Sequence, residues 1–163
     1  LATTRNHKIR TIAQIETAMA KHQINFSQII QAVIILIGAN YASPVQDDAV
    51  IQKAKRNSDQ INKAIVMKSR ASGQIAYLAS PVTGGGIFIQ RFQQLFVFAF
   101  ITGYKSPQEM ARFVWGILAS QAQKLLRDGK AIESDDENIT ELKKQAEAFA
   151  EKQLPILKAL QIA

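Results

Sequence analysis

Apolar residues recur along this chain at three- and four-residue spacing, the mark of helices with one buried face. Ile9, Ile12, Ile15 and Met19 predict a helix over about Lys8 to Lys21. The segment "HQINFSQ" breaks it, and Ser27 is the expected cap of a second helix, "QIIQAVIILI", ending at Gly38. Two short helices flanking a brief extended piece suggest a winged-helix-like unit. After the turn "NYASPVQDD", Ser58 is the expected cap of a helix with Ile61, Ile65 and Met67 on its apolar side, closed by Gly73. "QIAYLAS" has strand character, bounded by Gly and Pro.

Further along, Phe92, Leu95, Phe96 and Ala99 fall on one helical face. Phe98, Phe100 and Ile101 make the end of that helix apolar all round, so it is expected at the centre of the core. Ser106, Pro107 and Glu109 form a capping box with proline at the first helical position. The helix they start has Met110, Val114, Ile117 and Leu118 on its buried face. It is expected to run to Gly129, with Lys124, Arg127 and Lys130 at its carboxyl end. Ser134 and Glu137 repeat the capping signal before Ile139, Leu142, Ala146 and Phe149, and Pro155 is expected to kink or split this last helix. The reading is a mainly α, compact helical protein with one or two short strands around a glycine-rich loop. An N-terminal, winged-helix-like subdomain over 1–56 would precede a C-terminal helical subdomain over 57–163.

At 163 residues and 47% hydrophobic, the chain suits one compact domain or two small subdomains sharing a core. Its first residue is Leu, as in a fragment or processed piece. There is no Cys, which removes disulfides, thiolate metal sites and a Cys nucleophile. His7 and His22 lack companions at zinc-ligand spacing. The apolar runs "IIQAVIILI" and "IFIQRFQQLFVFAFI" are too short or too interrupted to span a bilayer, and both are expected as buried helices. With no signal core at the N-terminus, the expected location is cytoplasmic.

Net charge is +7 and the pI about 9.8. Lys53, Lys55, Arg56, Lys63, Lys68 and Arg70 crowd one segment, and the acids gather near the end. Such a face suits nucleic acid, an anionic membrane or an acidic protein, or is simply a solvated helix surface. Of these cations, Lys55, Arg56, Lys63, Lys68 and Arg70 are the candidate interface.

The run Thr83, Gly84, Gly85, Gly86 is the second candidate. Glycines let backbone N–H groups approach a phosphate. A P-loop, however, needs Lys-Ser/Thr directly after its last glycine, and a dinucleotide fingerprint needs spaced glycines with an acid about 20 residues on. "TGGGIFIQ" has neither, so the alternatives are a tight backbone crossing or a loop that docks on a partner. No Ser–His pair, His-Glu-x-x-His or Gly-x-Ser-x-Gly is present. "ESDDEN" lacks calcium-loop spacing and reads as acids favouring a helix N-terminus. Trp115 and Tyr104 read as packing aromatics. No catalytic, cofactor-binding or metal-ligating residue is assigned.

"YLASPVTGGGI", "RFQQLF", "FVWGILASQAQKLLRDGK" and "ENITELKKQAEAFAEKQLPILKAL", in that order and spacing, resemble the C-terminal part of the prokaryotic methyltransferase regulatory domain family. The resemblance covers roughly Asn57 to Ala163 and is looser before that. It implies a non-catalytic regulatory or substrate-recognition region following a class I methyltransferase domain. S-adenosylmethionine would bind in that attached domain and not here. It implies two partners, the catalytic domain and a protein substrate, since relatives are similar to protein-lysine methyltransferases acting on bacterial surface proteins. The competing readings are a basic winged-helix-type nucleic-acid-binding module and a stand-alone helical scaffold. "QIIQAVIILI" is too apolar for a recognition helix, which makes nucleic acid the weaker partner.

Overall fold

The computed structural model describes residues 2–3, 9–39 and 41–163. The architecture is mainly α, as expected, with short antiparallel ladders between helices. In chain order the elements are β1 (Ala2–Thr3), α1 (Ile12–Met19), α2 (Phe26–Gly38), β2 (Ala42–Ser43), α3 (Asp48–Lys68), β3 (Tyr77–Ser80), β4 (Gly85–Phe88), α4 (Arg91–Thr102), α5 (Pro107–Ala119), β5 (Leu126–Arg127), β6 (Lys130–Ala131), α6 (Asp135–Ala148) and α7 (Leu154–Ala159). The Lys8 start expected for the first helix, and His7, lie outside the described residues.

α1 opens on a capping box between Thr11 and Gln14. α2 opens on another between Asn25 and Gln28, and not at Ser27. Asn25 is extended, its Oδ1 accepts from the Gln28 N–H, and Gln28 Oε1 accepts in return from the Asn25 N–H. That reciprocal pair satisfies two of the amides a helix leaves unpaired at its start, whereas Ser27 already lies inside. β1 and β2 enclose these helices and pair antiparallel. Among the described residues of this region there is no hairpin that would serve as a wing. Nor is α2 a buried helix: Ile34 and Ile35 are 63% and 69% exposed, and only Ile29 is fully buried. Its apolar arc is wider than α1 and β2 can cover.

α3 is one continuous helix. Ser58 does not cap it; Ser58 is buried in its middle, on the stripe Ile51, Ser58, Asn62, Val66. Ile61 and Met67, expected inside, are about half exposed. Polar residues on the buried stripe shift the apparent phase. The 56/57 boundary therefore falls inside α3, and Ile51 and Val66 on either side of it belong to the same core cluster. The helix stops at Lys68 and not at Gly73. Just past its end the Arg91 guanidinium holds the next two carbonyls, donating from Nε to Ser69 O at 2.8 Å and from Nη2 to Arg70 O at 2.8 Å.

The buried face of α4 and the start of α5 follow their sequences, but the end of α4, expected to be buried all round, has Phe98 and Phe100 only half-buried. Leu95, Phe96, Val97 and Ala99 are buried, Phe92 is half-buried at the edge of the core, and Ile101 faces out. Gly103 ends α4 with φ 116°, a conformation that favours glycine. Ser106 and Glu109 form the capping box. The Ser106 backbone N–H, then its hydroxyl, hold the Glu109 carboxyl below its ordinary pKa. Met110, Val114, Ile117 and Leu118 are buried, and so is Trp115, in a packing role. Tyr104 lies on the rim, with its ring centroid 4.7 Å from that of Phe113.

Beyond Ala119 the expectation fails. α5 does not reach Gly129; Asp128 (φ 51°) and Gly129 (φ 77°) make the two-residue turn of the β5–β6 hairpin. Asp-Gly is a strong turn signal, and it outweighs the helical spacing upstream. Lys124 and Arg127 serve no helix dipole: Lys124 pairs with Glu133, and Arg127 lies 3.5 Å from Glu137 and 3.9 Å from Glu141. Ser134 caps α6 as expected, with Asp135, Asp136 and Glu137 in its first turn. The last helix is divided just ahead of Pro155, as expected. A π-helical turn at Phe149–Gln153 links α6 to α7, so the missing proline N–H falls at the widened turn. The core joins α3 to α7, with Leu95, Phe96, Val114, Leu142, Ala146 and Phe149 at its centre.

Candidate functional site

The glycine run belongs to a β-hairpin. β3 and β4 pair with Tyr77 opposite Phe88 and Ser80 opposite Gly85, leaving Pro81–Gly84 as the loop. Gly84 is left-handed (φ 72°) and donates its N–H to Ser80 O at 2.9 Å. A Cβ there would stand 2.7 Å from Gln46 Nε2, the movable tip of an exposed side chain, so it is the left-handed conformation that calls for glycine. Gly85 and Gly86 are strand residues with no left-handed φ. A Cβ on Gly86 would press on Tyr77 at 3.3 Å, whereas at Gly85 nothing lies within 4 Å. Gly84 takes the positive φ that the tight-crossing reading calls for, but what it approaches is Gln46 and not the Phe-rich α4. The run leads into an antiparallel strand and not a helix, so its amides do not converge on one point as phosphate-binding loops require.

The hairpin is anchored from three sides. Ser80 Oγ donates to Leu160 O at 2.9 Å, near the end of α7. Gln46 N donates to Val82 O at 2.8 Å, tying the loop to the start of α3. Buried Asn62 meets β3 edge-on: its Nδ2 donates to Ala79 O at 2.8 Å and its Oδ1 accepts from Ala79 N at 2.7 Å. Sequence reasoning missed Asn62, because a polar residue on a charged helix gives no sign of facing inward. Gln94 was missed for the same reason; it is buried in α4 and donates to Ile75 O and Ile89 O.

The five candidate cations do not form one patch. Lys55 pairs with Asp59 one turn on, and with Lys63 it rims a groove of about 560 Å³ between α3 and α4, floored by Val66, Phe98 and Ile101. Arg56 is exposed on the flank of α3 shared with Lys63. At about 100° per residue, Lys68 sits about 140° around the helix from Lys63. Arg70 lies past the end of α3, with its carbonyl held by Arg91 and Gln121. Thr83, Gly84, Gly85 and Gly86 lie on the hairpin, apart from this groove.

Among the described residues no group of His, Asp and Glu could hold a metal ion, and no helix is long and apolar enough to cross a membrane. His22 is an exposed residue at the end of a 3₁₀ turn. No family model matches the chain, and no solved structure matches it. It is similar to the uncharacterized protein sll1526 of Synechocystis sp., at 34% identity over 153 residues, which are 94% of this chain and 29% of that protein. The chain thus spans less than a third of the length of its curated relative.

Proposed function

We propose that this chain is the non-catalytic, substrate-recognition or regulatory region of a cytoplasmic, S-adenosylmethionine-dependent methyltransferase acting on protein lysines. The observation that carries the reading is the geometry of the glycine run. A class I methyl-donor site needs a strand, a glycine turn and a helix, with an acid placed for the ribose. Here the same glycines turn one antiparallel strand into another. The resemblance to methyltransferase regulatory domains, and a relative more than three times as long as the matched segment, support a role beside a catalytic domain. The methyl donor would then bind outside these residues.

Calorimetric titration tests this. S-adenosylmethionine is expected to give no heat with the 163-residue chain and micromolar binding with a longer polypeptide that carries it. Micromolar binding to the chain alone, or none to the longer protein, overturns the reading.

A second expectation concerns the cations. Lys63→Glu, Lys68→Glu and Arg70→Glu together should change unfolding free energy by only about 1 kcal/mol, since none of the three makes an ion pair among the described residues. The largest single cost is a glutamate at position 68, beside the negative end of α3, at about 0.3–1 kcal/mol. Association with the catalytic domain or an acidic substrate should weaken, and wild-type association should fall as salt rises. Undiminished methylation of the protein substrate by the triple variant at low salt would remove these three cations from the interface.

A further inference from the structure

The β3–β4 hairpin has two outer edges, and the protein treats them differently. Ile89 N donates to Ala76 O at 2.8 Å, which fixes the alternation of the ladder. In that register Leu78 and Ile87, two residues on from Ala76 and Ile89, are the bonded pair, so Tyr77 and Ala79 on β3, and Gly86 and Phe88 on β4, turn their main-chain groups outward. On the β3 side, Asn62 closes the edge by bonding both groups of Ala79. On the β4 side, no hydrogen bond among the described residues reaches the outward N–H or C=O of Gly86 or Phe88.

Exposed sheet edges are usually blunted by charge, proline, a bulge or a covering element, because they are templates for another strand. "GGIF" carries no charge and no proline, and its partner strand pairs with it in unbroken register. Its two glycines remove the side chains that would hold a neighbour away. Its exposed face carries Tyr77 stacked edge-on against Phe88, with centroids 5.6 Å apart. Alongside β4 runs a recess of about 340 Å³ toward α7, lined by Ile87, Ile89, Gln93, Gln153, Ile156 and Leu157, with no charged residue.

We infer that the free edge of β4 binds an extended segment of the protein substrate by strand addition. Gly86 and Phe88 supply main-chain hydrogen bonds, and the recess takes an apolar side chain from alternate positions of the peptide. The hydrogen-bonding pattern specifies an extended backbone. The neutral lining specifies an uncharged, apolar side chain, because a charge buried there would have no counter-ion. This rests on the substrate-recognition reading above.

The test uses the 163-residue chain and a phage-displayed library of seven-residue random peptides. The tightest binder is then made as a free fluorescein conjugate and titrated by anisotropy. Recovered peptides should show apolar residues at alternate positions. N-methylation at every second residue should abolish binding, and at the intervening residues should leave it unchanged. Phe88→Pro removes one outward N–H without breaking a ladder bond, and should weaken binding at least about 10-fold, by the loss of one main-chain bond and its neighbour. Phe88→Ala keeps that N–H and should weaken binding by about threefold or less.

N-methylation without an alternating effect, or equal loss in the proline and alanine variants, overturns the inference. So does a wild-type chain that selects no peptide, or that sediments as a dimer dissociated by Phe88→Pro, because the edge is then filled by a second copy. The peptide arms do not depend on Phe88→Pro folding. None of these readouts involves methyl transfer or methyl-donor binding, so the inference can fail while the methyltransferase reading stands.

Discussion

Phe96→Ala is expected to lower the unfolding free energy by about 3–5 kcal/mol, the range for emptying a buried aromatic site. Phe96 is 2% exposed, and its ring centroid lies 5.5 Å from that of Phe149 across the core. α4, which carries it, is flanked by α3 and α5, so its inward face has neighbours on both sides and little freedom to collapse. Cavity cost depends on how far the surroundings can close, and a site walled by several helices closes least. Ile101→Ala on the same helix is the control. It is 42% exposed and should cost about 1 kcal/mol or less. Urea denaturation decides: the midpoint should fall for Phe96→Ala with an unchanged slope. A loss below about 1 kcal/mol would mean that α4 is not the centre of the core.

The helices with strong local signals are the legible ones. Ser106 and Glu109 announce α5, Ser134 announces α6, and the aliphatic and aromatic spacing of α4 marks its buried side. Legibility fails where a polar residue faces inward. Ser58 and Asn62 interrupt the apolar stripe of α3 and give Ser58 the look of a cap. Yet both are buried, and Asn62 has its hydrogen bonds supplied by a strand 17 residues away. Legibility also fails where two local signals compete, as when helical spacing before Gly129 hides the Asp-Gly turn. The glycine run is conspicuous, but its chemistry depends on where each N–H points. That is set by the register of β3 against β4, which composition does not encode. The candidate cations fare worst, because a cluster in sequence wraps around a helix, and only Lys55 and Lys63 meet at one groove.

Asn138 carries the second large expectation. It is fully buried in the first turns of α6, and its three side-chain hydrogen bonds all go to backbone. Its Nδ2 donates to Ile132 O at 2.7 Å and to Ser134 O at 2.8 Å, and its Oδ1 accepts from Leu125 N at 2.9 Å. Two carbonyls and one amide fix which end of the side chain is nitrogen. One amide thus ties both flanks of the β5–β6 hairpin to the start of α6. Asn138→Ala strands the Leu125 N–H and the Ile132 carbonyl, while Ser134 O keeps the Asn138 backbone N–H; at about 1–3 kcal/mol for each stranded group, a total near 3 kcal/mol is expected. Asn138→Asp keeps the shape but replaces the donor with a carboxylate facing two carbonyl oxygens. Burial and those oxygens should raise its pKa above the unfolded value. The penalty is therefore full above the folded pKa and eases as pH falls through it, because the protonated acid regains one donor. Denaturation at neutral and acid pH should show the aspartate variant recovering stability at low pH relative to alanine. Equal pH profiles for the two variants, or an alanine cost below about 1 kcal/mol, would mean that the hairpin is held by its own turn and by Leu125 and Ile132 packing instead.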